Sequence, residues 1–266
     1  MPVTRIHWDD LPLAVREAVE KHTGPILHTK TAEAGANSGI AATAHTADAT
    51  LFIKGVPLDH PQARTQQREA AISPFLPPTS PRLLWHEQIA GWDLIGYEYL
   101  VGRHADYAPG SPDLPLVARA LVELQNTPCP EIELKRAEDR WSGYAGPDGV
   151  EQLVGDTLLH TDLAPHNMLI TDHAHLIDWA WPTRGAAWID PAVLILRLME
   201  AGHTASAADA WAREQFESWA AAPHASVAAF SEANARTWDE IARNDPRQWK
   251  KRMGRLAHDW VTYWRT

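Results

Sequence analysis

The chain has 266 residues, a single cysteine at position 129 and a formal net charge of −10, a length that suits one large domain or two lobes. The acidic balance argues against nucleic acid and anionic membrane surfaces as main partners, since both attract basic proteins. One cysteine excludes an intramolecular disulfide, and no apolar run has the length of a membrane span or a signal peptide, so we expect a cytoplasmic protein.

The N-terminal third reads as one helix followed by short strands. Apolar residues recur at helical spacing over residues 9–22, with Asp10 as the candidate N-cap and Gly24 just past the end. Three apolar runs bounded by turn residues then predict strands of an antiparallel meander, at residues 26–31, 41–45 and 51–56.

The loop between the first two predicted strands, residues 33–39, is built from small residues, including Gly35 and Gly39. Small residues at a hairpin let backbone amides approach a phosphate, and Asn37 and Ser38 add side-chain donors. A generic turn explains the same composition, so both interpretations stay open.

Lys54 ends the strongest predicted strand, and residues 62–73 follow it as a predicted helix. A lysine at this position is either exposed or a buried cation that needs a carboxylate partner. Glu69 on the predicted helix is the candidate partner, and we predict an ion pair between the two side chains.

The remaining predicted strands of the first lobe span residues 82–88 and 92–98, with a turn at Ala90-Gly91. Residues 126–156 are polar and irregular. The other predicted elements are helices, at residues 113–125, 190–201, 206–221, 224–242 and 247–263.

Polar residues concentrate between three short apolar runs in residues 157–182, where His160, Asp162, Asn167 and Asp178 occur. Burying charged groups without partners is costly, so this concentration indicates a function. The spacing His-x-Asp-x4-Asn, followed by an aspartate after a strand, matches the catalytic loop and metal-binding aspartate of the kinase fold. In that interpretation Asp162 is the base, His160 braces the loop, and Asn167 and Asp178 hold the metal. A chance match is the alternative, since short motifs have real false-positive rates.

Asp190, followed by Pro191, marks the start of the next predicted helix. N-capping of that helix is the default role for Asp190. Bracing of the catalytic loop is the second.

With these motifs in place, the chain resembles the aminoglycoside phosphotransferase and choline kinase family of kinase-like small-molecule phosphotransferases. The resemblance covers roughly residues 24–202, and it rests on residues 160–167, on residues 176–179 and on the Asp190-Pro191-Ala192 turn. Asp178 is followed by Trp-Ala, and the short interval to Asp190 leaves no room for an activation loop, as in small-molecule members. Thr161 stands where many relatives have glycine. The phosphate loop departs most from the family pattern.

The resemblance implies an α+β, bilobal protein-kinase-like fold. A small N-terminal antiparallel β-sheet lobe with one or two helices binds the nucleotide (residues 1–98), a hinge follows (99–104), and a larger, mainly helical C-terminal lobe is catalytic and binds the acceptor (105–266). It also implies ATP or GTP as donor and Mg²⁺ as cofactor, with Lys54 and Glu69 at the phosphates. The backbone groups of Glu98 and Leu100 would hold the adenine.

The acceptor is left open by the sequence. Aminoglycosides or other antibiotics come first, and choline-, homoserine- or sugar-like metabolites are the alternative. His166 and Trp181 are close to the loop in sequence. A cationic acceptor would find acidic residues on the C-terminal helices, which could equally be solvated: Asp209, Glu214, Glu217, Glu232, Asp239 and Glu240.

Two other classes of function compete with a kinase. A nucleotide-binding pseudokinase would act as a regulatory module. A metal-dependent oxygenase would use His160, Asp162 and a distant histidine such as His203 as a facial triad. The oligomeric state is not specified by any pattern in the sequence.

Overall fold

The computed structural model describes residues 3–32 and 37–265, and their contacts divide the chain into two compact units. The first unit contains the residues up to Val101 together with the short segment Ile177–Ala180. The second contains Gly102–Leu176 and the residues from Trp181 onward. Asp178 therefore belongs to the first unit, although it follows the catalytic-loop motif in sequence.

Among the described residues, the first unit contains a five-stranded antiparallel sheet and two α-helices. Its elements are α1 (Leu13–Thr23), β1 (His28–Thr31), β2 (Ile40–His45), β3 (Thr50–Pro57), α2 (Ala63–Ile72), β4 (Leu83–Ile89) and β5 (Trp92–Glu98). The strand order is β1-β2-β3-β5-β4. The β4–β5 hairpin turns at Ala90 and Gly91, which both have positive φ, and this matches the predicted turn.

Helix α1 packs on this sheet through one apolar face. Val15 and Val19 are fully buried in a cluster with Ile53 and Leu94 of the sheet. The expectation that Asp10 caps α1 is wrong, because Asp10 lies in a separate 3-10 turn and the helix starts after Pro12. The expectation that α1 ends before Gly24 is confirmed: Gly24 has a φ of 74°, which favours glycine.

The described part of the second unit is mainly helical and contains two small three-stranded sheets. The elements are β6 (Arg103–His104), α3 (Leu114–Asn126), β7 (Lys135–Arg136), α4 (Ala137–Trp141), α5 (Pro147–Glu151), β8 (Thr157–Leu159), β9 (Met168–Ile170), β10 (Ala174–Leu176), β11 (Thr183–Gly185), α6 (Ile189–Glu200), α7 (Ala205–Gln215), α8 (Glu217–Ala220), α9 (His224–Asn244) and α10 (Gln248–Arg265). The sheets have the strand orders β10-β9-β6 and β7-β11-β8. Residues 126–156, predicted to be irregular, contain one short strand and two short helices.

Aromatic side chains fill the core of the C-terminal helices. Trp219, Trp260 and Phe230 are almost completely buried, and Trp264 packs edge-on against both of these tryptophans. Such pairs contribute about 0.5–1.5 kcal/mol beyond the burial of their area. The predicted fold class, a small antiparallel-sheet unit followed by a larger helical unit, is confirmed. Over the described residues, none of the helices has the length and apolar character that crossing a membrane requires.

Candidate active site

The prediction that Lys54 ends its strand is wrong, because β3 continues to Pro57 and Lys54 lies in its interior. The ammonium group of Lys54 contacts two carboxylates. Nζ is 2.6 Å from Glu69 Oε2 on α2 and 2.9 Å from Asp178 Oδ1. The Lys54 and Glu69 side chains are only 14% and 6% exposed. The predicted ion pair between Lys54 and Glu69 is confirmed, and Asp178 is a third member that the sequence did not indicate.

These three charges change one another's proton affinity. Burial alone lowers the pKa of Lys54, but the negative charges of Asp178 and Glu69 outweigh it and raise that pKa above its ordinary value. Burial raises the pKa of Glu69, and the nearby Lys54 opposes that change. Lys54 therefore stays a cation inside the first unit.

Asp178 is held in an unusual backbone conformation. Its φ is 62°, a left-handed value that few non-glycine residues adopt and that costs of order 1–3 kcal/mol. The Ala180 N–H donates to Asp178 O at 2.8 Å, and Trp179 Nε1 donates to Ser80 Oγ at 3.1 Å. These contacts fix the backbone around Asp178, while the Asp178 side chain remains 37% exposed. Strain of this kind is typical of functional sites.

Asn37 and Ser38 line the same small pocket as the Lys54 cluster, which places both predicted loop residues beside it. Ser38 is buried and Asn37 is exposed. The predicted phosphate-loop residues 33–36, including Gly35, lie outside the described residues. Polar residues of α2 and of its N-terminal end also line the pocket and were not predicted, although their helical spacing with Glu69 was a usable signal. They are Gln62, Thr65 and Gln66.

The predicted adenine-binding segment begins where β5 ends. The Glu98 N–H donates to Arg82 O at 3.0 Å, and the Glu98 side chain accepts from Arg82 N at 2.8 Å. Beyond β5 the chain is open: Val101 is 81% exposed, and no hydrogen bond joins the Leu100 N–H to another of the described residues. The backbone donor that the sequence analysis assigned to adenine thus has no partner in the described part of the chain.

In the second unit, Asp190 anchors the predicted catalytic loop. Its buried carboxylate accepts hydrogen bonds from His160 N and Thr161 N, both at 2.8 Å. Helix α6 begins at Ile189, and none of the described side chains caps its N-terminus. The capping role preferred for Asp190 is therefore wrong, and bracing of the loop, the second option, is observed. Burial raises the pKa of Asp190, and the two N–H donors oppose that change.

Thr161 occupies a position that suits glycine, with a φ of 63°. Its hydroxyl lies close to His160 O at 2.7 Å and to Trp181 O at 3.0 Å, and it accepts a hydrogen bond from Arg140. Burial lowers the pKa of Arg140 to about 10, with the charges of Asp162 and Asp190 acting in the opposite direction. A threonine at this glycine-like position is thus accommodated by a left-handed backbone and by several hydrogen bonds of its hydroxyl group.

The residues of the loop motif converge around Asp162. Asn167 is buried and its Nδ2 donates to Asp162 O at 3.0 Å, while the Asp162 N–H donates to Nδ1 of the buried His160 at 3.3 Å. The Asp162 carboxylate is 39% exposed, and its Oδ1 lies 3.4 Å from Nη2 of Arg197. His160 therefore contacts the loop backbone, in agreement with a bracing role.

Arg197 was missed by the sequence analysis. It lies seven residues after Asp190 on α6, and two helical turns bring it back to the same face. That spacing, applied to the helix that follows the motif, was the available signal.

The acidic residues proposed to hold a cationic acceptor do not form one cluster. Asp209 is buried and accepts from Trp219 Nε1 and from the Tyr263 hydroxyl, both at 2.8 Å. Three others are engaged elsewhere: Glu232 with Arg236 and Arg265, Asp239 with His258, and Glu240 with Tyr144.

The facial-triad alternative is not assembled. His203 Nε2 contacts Tyr107 O at 2.9 Å. Among residues 3–32 and 37–265, no three His, Cys, Asp or Glu side chains are grouped in a way that could hold a metal ion.

The small antiparallel-sheet unit with its lysine–glutamate pair, followed by a helical unit that carries the His-x-Asp-x4-Asn loop, defines a kinase-like fold. Among solved structures, the chain is similar to choline kinase LicA from Streptococcus pneumoniae, with a TM-score of 0.67 and 14% identity over 94% of this chain and 99% of that one. A LicA complex with AMP matches with a TM-score of 0.66 and 13% identity, over 94% and 97% of the two chains.

An aminoglycoside phosphotransferase has the same fold. APH(4)-Ia, in a ternary complex with ADP and hygromycin B, matches with a TM-score of 0.57 and 11% identity, over 92% of this chain and 98% of that one. Neither a protein-family model nor a curated protein sequence matches the chain. The fold resemblance predicted from the motifs is thus confirmed in three dimensions.

Proposed function

We propose that this protein is a small-molecule kinase that transfers the γ-phosphoryl group of ATP or GTP to a hydroxyl group. The observation that carries this proposal is the contact of Lys54 with both Glu69 and Asp178. Because desolvation offsets the Coulombic gain of a buried ion pair, a buried lysine between two carboxylates is poorly explained by stability and favours a functional role. In the kinase reaction the lysine binds phosphate oxygens and the aspartate binds the metal.

In the first unit, Lys54 would contact the donor phosphates, with Asn37 and Ser38 as further donors from the same pocket. The Leu100 N–H, with no partner among the described residues, and the carbonyl of Glu98 would take the base of the nucleotide. The nucleotides named in the complexes of the similar structures support this assignment.

Mg²⁺ fits the side chains that the motif supplies. Carboxylate and amide oxygens are the ligands it prefers, and Asp178 and Asn167 provide one of each. Asn167 uses its Nδ2 for Asp162 O, which leaves the amide oxygen as the ligand atom. When bound, Mg²⁺ neutralises charge on the phosphates.

In the second unit, Asp162 would orient the acceptor hydroxyl and accept its proton. The contacts of His160, Asn167 and Asp190 fix the loop backbone, so that little reorganisation is needed when an acceptor binds.

We consider two acceptor classes. An aminoglycoside or other antibiotic is one, since APH(4)-Ia was solved with hygromycin B, and phosphorylation would then confer resistance. A choline-like or other small metabolite is the second, since the chain is also similar to choline kinase LicA.

The test is a kinase assay with ATP, GTP and Mg²⁺ across a panel of antibiotics and hydroxyl metabolites, with the product identified by its mass. Asp162→Ala should lower turnover on the order of 10²–10⁴-fold while nucleotide still binds. Asp172→Ala, at an aspartate whose side chain is 84% exposed, is the matched control and should behave as wild type. Nucleotide binding without turnover of any acceptor would indicate a pseudokinase module instead.

A further inference from the structure

We infer that Arg197 is a positioning residue that fixes the carboxylate of Asp162 for proton transfer, an inference that rests on the proposed kinase function. Arg197 comes from α6, the same helix whose first turn supplies Asp190. One helix therefore holds both the backbone of the loop, through Asp190, and the side chain of the proposed base, through Arg197.

The guanidinium group of Arg197 is held by an ion pair at its edge and by an aromatic ring against its face. Nη1 is 3.0 Å from Glu200 Oε2, and the group lies over the Trp238 ring at 5.4 Å from the centroid. Nη1 also contacts the sulfur of Met253 at 3.8 Å. With its side chain only 11% exposed, Arg197 is immobilised by protein contacts before any ligand binds.

Asp162 needs such a contact because its other hydrogen bonds reach only its backbone. His160 accepts from the Asp162 N–H, and Asn167 donates to the Asp162 carbonyl. In the described part of the chain, Arg197 Nη2 is the hydrogen-bond partner of Oδ1, and Oδ2 has none. Arg197 thus selects a side-chain rotamer and leaves Oδ2 to face an acceptor hydroxyl.

The two distances show how the positive charge is shared. Arg197 is closer to Glu200, at 3.0 Å, than to Asp162, at 3.4 Å. Glu200 is therefore the anchor, and the longer contact orients Asp162 without using both of its oxygens. A bidentate pair with Asp162 would occupy both acceptor sites.

A purely structural role for Arg197 would arise from its packing against Trp238 and Met253. Arg213 on α7 offers a matched control for that role. Its guanidinium lies over Trp219 at 6.0 Å and over Trp264 at 5.7 Å, and it pairs with Asp209 at 3.1 Å. Arg213 therefore makes the same kinds of contact as Arg197, but in the part of the chain that the structure describes its side-chain hydrogen bond goes to Asp209 and not to the catalytic loop.

The experiment compares Arg197→Met, Arg197→Lys and Arg213→Met in the full chain, with the acceptor that the wild type phosphorylates in the panel assay. Misplacement of a catalytic group by about 1 Å can cost about 100-fold, so Arg197→Met should lower kcat about 100-fold. The nucleotide KM and calorimetric nucleotide affinity should stay within about twofold, a split that lost stability does not produce. Arg197→Lys should recover part of kcat, and Arg213→Met should lower Tm with kcat retained.

Three results would overturn the inference. One is a wild-type kcat in Arg197→Met. Another is a loss of kcat that Arg213→Met reproduces at an equal loss of Tm. The third is additive Tm shifts for Arg197→Met and Asp162→Asn in the double variant, because side chains in contact should be coupled. A wild-type chain that phosphorylates no acceptor would remove the kinase proposal itself, and this inference with it.

Discussion

The buried cluster of Lys54, Glu69 and Asp178 gives the sharpest prediction for stability. Lys54→Met removes the cation and leaves Glu69, only 6% exposed, without its ion-pair partner. Removal of one partner of a buried pair costs about 3–5 kcal/mol, because the remaining charge has lost its compensation. We expect a loss of about that size at pH 7, since Asp178 is partly exposed and stays solvated.

A second variant separates this cost from lost packing. Replacement of both members of a buried pair by apolar residues is often neutral or stabilising. Lys54→Met/Glu69→Leu should therefore be more stable than Lys54→Met alone, although both variants should fail to bind nucleotide productively.

The penalty should also depend on pH. Because burial raises the pKa of Glu69 above its ordinary value of 4.5, the folded state binds that proton more tightly than the unfolded state. The cost of the unpaired carboxylate is then absent below about pH 4.5 and grows as the pH rises through the pKa of the folded state. Lys54→Met should lose less stability at pH 4.5 than at pH 7.

Urea unfolding followed by tryptophan fluorescence gives the difference in free energy, and hydrogen exchange of the β3 amide groups assigns it to the first unit. Two results would refute the reasoning. One is a penalty that is equal at both pH values. The other is a double variant less stable than the single one.

Three further predictions concern the metal, the sheet and the second unit. Asp178→Asn should remove the part of nucleotide affinity that needs Mg²⁺, which calorimetry with and without the metal measures. If the variant gains as much nucleotide affinity from Mg²⁺ as the wild type does, Asp178 is not a ligand. Gly96→Ala should cost about 3 kcal/mol in urea unfolding, because its Cβ would lie 2.2 Å from the Trp85 ring; a wild-type midpoint would contradict this. Asp113 accepts from Arg103 at 2.5 and 2.6 Å, and these hydrogen bonds hold the pKa of Asp113 below 3.8. Asp113→Asn should therefore lower the free energy of unfolding by about 1.5–3 kcal/mol at pH 7. The difference from wild type should shrink as the pH falls below about 3.8, and thermal unfolding at pH 7 and below pH 3.8 would test this.

Local patterns were sufficient for much of the first unit. Strands β2, β3 and β5 follow apolar runs bounded by turn residues, whereas β1, which starts only at His28, has no apolar residue. The predicted hairpin at Ala90-Gly91 is present, and both of its turn residues adopt positive φ. The pair of Lys54 and Glu69 was also predictable, since a lysine in a buried strand needs a carboxylate and the next helix offers one.

Contacts between distant segments were not predictable in this way. Asp178 is 124 residues from Lys54, and no local pattern connects them. Asp190 was assigned to a helix cap because capping is the nearest local use of such a residue. Its actual partners, His160 N and Thr161 N, lie 30 and 29 residues earlier in the chain. Asp190 accepts from these N–H groups because they are buried in the folded loop. That burial depends on the folded chain and is not visible in the local sequence.

The division of the chain has a consequence for its synthesis. Strand β3 with Lys54 and helix α2 with Glu69 leave the ribosome early. Ile177–Ala180, which belongs to the same unit, emerges only after the whole of Gly102–Leu176 has been made. Until then Lys54 lacks Asp178, its second carboxylate partner, because that residue has not been translated. A fragment that ends near Val101 would keep this incomplete state permanently, so a truncated gene product should not reproduce the behaviour of the intact protein.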